Sequence, residues 1–351
     1  MSAINAFLLA NHLRIDTNPA VSPDWCLDWP AMQVRLKREA QPHATLTLRR
    51  HEAARFATAH GSWVLAEDEY GDHAWILDGV GRPAAELLRL LDDGVALQGS
   101  RVAFPATWVN LLKLKNHILA HDPQSTIFPV ARGTLAHTSI GVGARFTALH
   151  WPAVAWAMAN LGVSLTANQN SVPRELVYDV DAMLAGTLGR VPFPFIGTSV
   201  PEGHQGQSIE GMSHGAVLAY LKTGFHRHGI PWGFNADHQP VGGAFDAREN
   251  RLVAGSILAS YITFDISPEL TATTLPDDPV GWCRAEVGDA MVARIIARCR
   301  EAGVALDATA AATEIARLWP ALAKLRARDA KCQAARAAAC AHAAGRAYFR
   351  E

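Results

Sequence analysis

The residue pair best suited to chemistry in this sequence is Asp237-His238, which follows the apolar run Ile230 to Phe234. At the carboxyl end of a strand, the imidazole of His238 could bind a divalent metal while the Asp237 carboxylate gives or takes a proton. In the competing interpretation, Asp237 merely caps a turn and His238 lies outside it. With Asn235 and Gln239 beside it as substrate-binding candidates, the pair predicts the functional centre.

A second candidate segment, Glu202-Gly203-His204, offers a carboxylate and an imidazole two residues apart. Glycines on both sides of His204 would let the backbone approach a ligand. Together with His238, this segment could form a metal site of two histidines and one glutamate with open positions. The alternative is a Gly-rich loop with exposed polar side chains and no ligand.

Five predicted strands end in polar residues, which indicates a substrate-lined cleft rather than unrelated turns. In α/β folds the chemistry collects where strands end. Asn168, Gln169 and Asp265 are therefore candidate site residues. The polar segments lie at 132–134, 168–171, 198–204, 235–239 and 265–267.

Arg145 is a candidate for binding an anionic group of the substrate. It follows Gly141 and Gly143, which place it in a loop where a guanidinium could bind a carboxylate or phosphate. These glycines do not form a dinucleotide fingerprint, because the third glycine and the acidic residue beyond are missing. No phosphate loop ending in Lys-Ser/Thr occurs, which disfavours P-loop chemistry.

Three other histidines are interpreted as structural. His214 precedes the apolar residues of its predicted helix by one turn and is expected to be a hydrogen-bonded core residue. His226 and His228 fall in the last helical turn, where free carbonyls and the helix dipole favour an imidazolium.

The elements that must position these residues divide the chain into three regions. Residues 1–103 form a mixed α+β region, 104–278 repeat a helix-then-strand pattern, and 279–351 are helical and alanine-rich. Helices alternating with buried strands predict an α/β protein with a TIM-barrel-like (β/α) architecture. Four or five clear strands are fewer than the eight of a closed barrel. Either the first region supplies the others, or the barrel is incomplete.

Local patterns predict the individual elements. Alternating side chains predict a strand at Gln33 to Leu36, and a β-rich run predicts another at Thr126 to Val130. Pro152 is expected to open a helix that Gly162 ends. Further strands are expected at 45–48, 62–66, 74–77, 163–166, 193–196, 230–234 and 257–264, and helices at 84–91, 108–120 and 210–227.

Composition narrows the class of partner. The 351 residues are 49% hydrophobic and 19% charged, with a net charge of −1, so no basic surface for nucleic acid is indicated. The apolar run Ala6 to Ala10 is too short for a signal peptide or a membrane span. Five scattered cysteines suggest reduced thiols. A cytoplasmic protein without a membrane partner is expected, and homo-oligomerisation stays open.

A resemblance to known families is carried by five segments, which are Gly141-Val-Gly-Ala-Arg145-Phe146, Trp151-Pro152-Ala153, Gln169-Asn170-Ser171-Val172, Asn235-Ala236-Asp237-His238 and Tyr261-Ile-Thr-Phe-Asp265-Ile-Ser-Pro268. In this order they resemble the tagaturonate epimerase family. The last two are also similar to class II fructose-bisphosphate aldolases. Both families are metal-dependent β/α-barrel enzymes that act on ketoses or keto-sugar acids. The resemblance covers residues 104 to 270, approximately.

The resemblance implies roles for particular residues. His238 would be a metal ligand and Asp237 an acid/base, while Arg145, Gln169 and Asp265 would line the sugar site. Aldolases supply later metal ligands and a phosphate cradle from a His-Gly-Gly-Ser-Gly-type strand end. No such segment follows residue 270 here, and the only histidine after it is His342. The resemblance therefore bears on the fold type more than on the substrate.

The sequence as a whole predicts a metal-dependent carbohydrate enzyme, an epimerase of a ketose or keto-sugar acid. The alternatives are an aldolase-type lyase and a non-catalytic sugar-binding or partner subunit on the same scaffold. The expected cofactor is one divalent metal among Zn, Mn, Ni and Fe, and the expected partner is a small sugar or sugar acid. The candidate residues are Asp237, Asp265 and Glu202 for catalysis, Arg145, Asn168, Gln169, Asn235 and Gln239 for substrate binding, and His238 and His204 for the metal.

Overall fold

The computed structural model describes residues 1–16, 22–39, 48–131, 139–144, 147–169 and 209–350. It is a mixed α/β protein, about 51% helical, with one antiparallel and one small parallel sheet. No closed barrel is detected among these residues. The strands of the N-terminal region pair with one another, so they do not supply the strands that a barrel would need.

The chain divides into two compact units. The first comprises Met1–Asp237, Ala254–Ile262 and Ala335–Glu351, and the second His238–Val253 and Thr263–Ala334. The three regions inferred from the sequence, with boundaries at 103 and 278, stay a prediction.

The antiparallel sheet belongs to the first unit and has the strand order β1-β2-β3-β5-β4. Its strands are β1 (Leu48–Thr58), β2 (Gly61–Asp68), β3 (His73–Asp78), β4 (Val95–Ala96) and β5 (Arg101–Pro105). The strands predicted at 62–66 and 74–77 are confirmed as β2 and β3. A tight turn joins them, in which the Asp68 carboxylate accepts hydrogen bonds from the backbone of Tyr70 and Asp72.

One face of this sheet packs against helix α2 (Trp29–Glu39), which follows α1 (Ala3–Ala10). The strand predicted at Gln33 to Leu36 is therefore wrong. Met32 and Leu36 are both buried against the sheet. Their spacing of four residues is the helical repeat, which a short alternating fragment does not reveal.

The parallel sheet has the order β10-β9-β8-β7-β6. Its strands are β6 (Ser139–Ala144), β7 (Ser164–Gln169), β8 (Gly233–Pro240), β9 (Tyr261–Asp265) and β10 (Phe349–Arg350). Between β3 and β9, the described residues form the α-helices α3 (Ala84–Leu87), α4 (Trp108–His121), α5 (Thr147–Leu161), α6 (Ile209–Lys222) and α7 (Glu249–Gly255). The helix predicted at 108–120 is confirmed as α4. The helix predicted at 210–227 is confirmed as α6 but ends at Lys222, and the strand predicted at 163–166 is confirmed as β7 but continues to Gln169, while α3 is shorter than expected.

Helix α6 links the two sheets within the first unit. It contacts β1 of the antiparallel sheet, β7 of the parallel sheet, and helices α4 and α5. Every residue from Gly211 to Leu221 is buried, as expected for a helix that is covered all round. The indole Nε1 of Trp25 donates to the Gly211 carbonyl at 2.8 Å. His214 is fully buried and bonds through Nδ1 to the Pro23 carbonyl at 3.0 Å, which confirms its core role.

Helices dominate after β9, as predicted. They are α8 (Ser267–Ala272), α9 (Pro279–Glu286), α10 (Asp289–Glu301) and α11 (Ala308–Ala339). A small core joins α9 to α11 through Cys283, Ala312, Ile315 and Ala316. All five cysteines are free. Among the described residues, no helix combines the length and the apolar run needed to cross a membrane.

Three local predictions are corrected. Thr126 to Val130 contains a bend at Ile127 and Phe128 rather than a strand. Pro152 lies inside α5 instead of opening it, although Gly162 ends the helix in a left-handed conformation (φ 64°) as expected. His226 lies in a 3₁₀ helix, Phe225–His228, where burial lowers the pKa of its imidazole. The expected imidazolium is therefore disfavoured at His226.

Candidate functional site

The predicted centre, 235–238, lies inside strand β8 and not beyond its end. The prediction placed the strand at Ile230 to Phe234, whereas β8 begins at Gly233 and continues to Pro240. Phe234 and Ala236 are fully buried apolar residues that alternate with Asn235 and Asp237. Polar residues at every second position continue a strand that has one polar face, so they do not terminate it.

That polar side of the sheet, here called the polar face, carries Thr166, Gly233, Asn235, Asp237, Tyr261 and Phe349. A Cβ at Gly233 would lie 2.8 Å from Thr166 Oγ1 and 2.8 Å from Tyr261 Cε2, so both side chains lie over the glycine. Asn235 and Asp237 share this face because strand side chains alternate. The Phe349 ring stacks on Tyr261 with centroids 5.3 Å apart and planes at 28°.

Apolar residues at 232, 234 and 236 point away from the polar face, and Trp232, just before β8, contacts helix α6. Trp232 is buried and meets the Tyr220 ring edge-on at 4.2 Å between centroids. Its indole Nε1 donates to the Thr126 carbonyl at 2.9 Å. Phe234 and Ala236 are completely buried. Parallel sheets are ordinarily apolar on both faces. The polar face is therefore the exception that a ligand-binding role would explain.

Strand register brings two predicted substrate-binding residues next to each other. Asn168 of β7 pairs with Asn235 of β8, and Gly143 of β6 pairs with Asn168 on its other side. Gln169 follows at the end of β7, opposite Ala144. The backbone therefore places Asn168 and Asn235 in one row across three strands. Asn235 is buried, with its side chain on the polar face.

Two other candidates belong to the second compact unit. The Gln239 side chain is fully buried and donates from Nε2 to the Leu252 carbonyl at 3.0 Å. Asp265 ends β9, as predicted, and its Oδ1 accepts from the Ser267 backbone at 2.9 Å. Both interactions are hydrogen bonds to the backbone, of the kind that stabilises a strand or a turn. The substrate role of Gln239 and the catalytic role of Asp265 stay predictions.

The remaining candidates lie outside what the structure describes. Arg145, Glu202 and His204 are not among the described residues, and His238 is described only as part of the β8 backbone. Within the described part of the chain, no group of three or more His, Cys, Asp or Glu side chains could hold a metal ion. The described side chains therefore do not provide the predicted metal site.

A group of buried and half-buried polar side chains that sequence reasoning missed lies where α6 meets the antiparallel sheet. This Glu67 cluster consists of His51 on β1, Glu67 on β2, His73 on β3 and Lys222 at the end of α6. Oε2 of Glu67 lies 2.7 Å from His51 Nε2 and accepts from Lys222 Nζ at 2.8 Å. Oε1 faces His73 Nε2 at 3.7 Å, which is longer than a hydrogen bond.

Electrostatics keep one charge pair at the centre of the Glu67 cluster. Burial raises the pKa of the Glu67 carboxyl, but the His51 and Lys222 hydrogen bonds outweigh it and hold that pKa well below its usual range. Burial lowers the pKa of His73 well below its ordinary value, so this imidazole is neutral. Burial also lowers the pKa of Lys222, against the opposing effect of Glu67.

One sequence signal could have located Glu67. Alternation along β2 puts it on the same face as Trp63 and Leu65, which are completely buried. A carboxylate that continues a buried apolar row needs a partner. Its partner Lys222 lies 155 residues further along the chain, which no local pattern could reveal.

Comparison of the chain with protein-family models, with curated proteins and with solved structures found no match.

Proposed function

We propose that the protein is a metal-dependent carbohydrate enzyme, an epimerase of a ketose or keto-sugar acid, whose substrate lies on the polar face. The observation that carries the proposal is the alternation along β8, which aligns Asn235 and Asp237 on one face and places the buried apolar residues Phe234 and Ala236 on the other. The resemblance of the 141–146, 151–153, 169–172, 235–238 and 261–268 segments to sugar epimerases and aldolases supports the same substrate class. It also supports an incomplete β/α barrel as the scaffold.

The residues of the polar face suit a sugar. Amide and carboxylate groups such as those of Asn235 and Asp237 bind hydroxyl groups, because both can accept a hydrogen bond and the amide also donates. The stacked rings of Tyr261 and Phe349 add an apolar surface for the C–H groups of a sugar. Thr166 contributes a hydroxyl over Gly233.

Asp237 is the proposed acid/base. It is half-buried at the outer part of the polar face, and an aspartate can take a proton from a substrate carbon or hydroxyl and return it. Proton return to the other side of the carbon gives epimerisation, and loss of a hydroxyl proton starts retro-aldol cleavage.

The test compares Asp237→Asn with the exposed control Asp277→Asn on a panel of ketoses and keto-sugar acids. Asp237→Asn should lower turnover about 10²–10⁴-fold, because the amide cannot transfer the proton, while circular dichroism stays unchanged. Asp277→Asn should match the wild type. Equal turnover of the Asp237→Asn variant and the wild type would exclude Asp237 as the acid/base.

The alternative of a non-catalytic sugar-binding subunit is favoured by one observation, that the sequence after residue 270 contains no His-Gly-Gly-Ser-Gly-type segment and no histidine except His342. Metal analysis of the purified protein separates the two functions. Stoichiometric Zn, Mn, Ni or Fe supports the enzyme. Sugar binding measured by calorimetry, without bound metal and without turnover, supports the binding subunit. Product analysis separates the two enzymes, since an epimerase forms an epimer of the substrate and a lyase forms an aldehyde.

A further inference from the structure

We propose that Phe349 is a specificity-determining residue of the polar face and that Arg336 is the positioning residue that holds it there. Phe349 would cover the apolar side of a bound sugar, while Arg336 acts only through the strand that carries Phe349. Both roles rest on the proposed function, because they concern the sugar that would lie on the polar face. Neither residue would transfer a proton.

Strand β10 brings Phe349 to the polar face. Phe349 pairs with Tyr261 of β9 in parallel register, and its backbone N–H donates to the Ser260 carbonyl at 2.9 Å. The two rings stack with their centroids 5.3 Å apart, and the Tyr261 ring in turn lies over Gly233 of β8. Phe349 is only half-buried, so part of its ring is open to a bound molecule. The two rings therefore form one aromatic wall of the polar face.

The pairing of β10 is too short to hold this wall by itself. β10 forms the edge of the parallel sheet and pairs with β9 at only two positions. Short pairs of strands are marginally stable in water unless other contacts support them. The segment that leads into β10 must therefore be fixed by other parts of the first unit.

Arg336, near the end of α11, supplies such contacts. Its side chain is buried, with the residue 2% exposed. The guanidinium donates from Nε to the carbonyl of Arg346 at 2.7 Å, from Nη2 to that of Ala347 at 2.9 Å, and from Nη1 to those of Ser256 and Ile257 at 2.7 Å each. The first two carbonyls lie just before β10, and the other two lie before β9. The guanidinium thus joins the two segments that lead into the paired strands.

Burial makes this connection both strong and specific to arginine. Hydrogen bonds from a charged donor are about twice as strong as neutral ones, and a buried charge needs them because water cannot hydrate it. The planar guanidinium presents its N–H groups in a fixed fork. A lysine at position 336 would present one ammonium nitrogen and could not reproduce the four hydrogen bonds. Arg336→Lys should therefore loosen β10.

Helix α4 fixes the chain between α11 and β10. The buried Lys115 donates from Nζ to the Gly345 carbonyl at 2.8 Å. The Asn116 side chain donates to the Ala339 carbonyl at 2.9 Å and accepts from the Ala341 backbone at 3.0 Å. These side chains come from another part of the first unit. The position of β10 is therefore determined by the packed structure around it.

An aromatic wall selects ligands that have an apolar side. The Phe349 ring can cover the C–H groups of a sugar, whereas Asn235 and Asp237 can bind its hydroxyl groups. The Phe349 ring has no group that gives or takes a proton, so it should contribute equally to binding of the substrate and of the transition state. Loss of such uniform binding raises KM and leaves kcat unchanged.

The first experiment measures KM and kcat of Phe349→Ala for the sugar that the wild type turns over. KM should rise about three- to tenfold with kcat unchanged, and Phe349→Tyr should restore the wild-type KM because it keeps the ring. Val80→Ala is the control, since Val80 is an apolar residue that is 82% exposed outside the polar face. An unchanged KM in Phe349→Ala would overturn the role of Phe349.

The same assays separate failure of this inference from failure of the proposed function. A wild type that neither turns over nor binds any ketose or keto-sugar acid would reject the proposed function, and the role of Phe349 with it. An active wild type that loses turnover in Asp237→Asn but keeps its KM in Phe349→Ala would reject only the role of Phe349.

The second experiment tests the positioning role by hydrogen exchange without substrate. In Arg336→Lys the amides of residues 346–350 should exchange at least about tenfold faster than in the wild type, and KM should rise as in Phe349→Ala. The control Arg317→Lys changes an exposed arginine of the same helix, whose side chain is 47% exposed, and should change neither quantity. Wild-type exchange and KM in Arg336→Lys would overturn the positioning role. Should this variant not fold, Phe349→Ala still decides the role of the ring.

Discussion

At the residue scale, burial has removed the charge from side chains that usually titrate near neutrality. His214 is covered by Trp25 and Trp108 and bonds to the Pro23 carbonyl. Burial lowers the pKa of His214 to about 4. Burial lowers the pKa of His73 as well. Both histidines are held neutral in the folded protein, and this has a consequence for acid stability.

Acid should destabilise the folded protein through His214. His214 becomes protonated below about pH 6.5 in the unfolded chain but only near pH 4 in the folded protein. Its contribution to the free energy of unfolding is therefore complete above pH 6.5 and is lost as the pH falls towards 4. His214 alone should account for about 3 kcal/mol between these values. His214→Asn, which keeps a donor for the Pro23 carbonyl, should flatten this slope in urea denaturation from pH 4.5 to 7.5. An unchanged slope, equal to that of the exposed control His121→Asn, would contradict the assignment.

At the element scale, the hairpin between β1 and β2 depends on one glycine. Gly61 opens β2 with φ 139°, and a Cβ there would lie 2.2 Å from the Asp78 carbonyl oxygen of β3. Both the dihedral angle and the close approach of β3 exclude a side chain. The glycine thus holds together the three strands that carry His51, Glu67 and His73.

Replacing that glycine should weaken the sheet. Gly61→Ala should lower the free energy of unfolding by about 2–4 kcal/mol, since a backbone atom cannot move aside as a flexible side chain can. Gly99→Ala is the matched control, because its φ is 68° and nothing lies within 4 Å of the added Cβ. It should cost only about 1 kcal/mol, from the backbone conformation alone. Equal losses in denaturant titrations would show that the contact with Asp78 is unimportant.

At the scale of the whole molecule, the two compact units differ in how much apolar surface they bury. In the first unit, α6 is buried along its length between two sheets. In the second unit, helix α10 has no fully buried residue. The helices of this unit pack around the small hydrophobic cluster that contains Cys283 and Ile315. Local stability follows buried contacts, so the helices of the two units should open at different free energies.

Hydrogen exchange should resolve this difference. Amides of Gly211 to Leu221 should exchange at least about tenfold more slowly than those of Asp289–Glu301, because opening α6 exposes the interior of the first unit. Mass spectrometry of peptides from both helices at neutral pH measures the two rates in one sample. Similar protection of both helices would indicate that the chain opens as a single cooperative unit.

Much of the local structure was predictable. The strands β2 and β3, the helices α4 and α6 and the helical C-terminal region follow from short-range patterns of apolar residues. The core position of His214 followed from its spacing to Val217 and Leu218. Predictions failed where a pattern was too short to distinguish a strand from a helix, as at Gln33 to Leu36, or where polar residues were taken as the end of a strand.

By itself, the sequence determined most of the helical and extended segments, such as α4, α6, β2 and β3, because these depend on neighbours within a few positions. Only the tertiary structure decided which strands pair. The antiparallel strands close a sheet of their own, so Asn235 and Asp237 lie on one face of a small parallel sheet without a closed barrel among the described residues. It also decided that Lys222 meets Glu67 across 155 positions. Such a contact arises from the packing of α6 against β1 and β2, and packing depends on the fold as a whole.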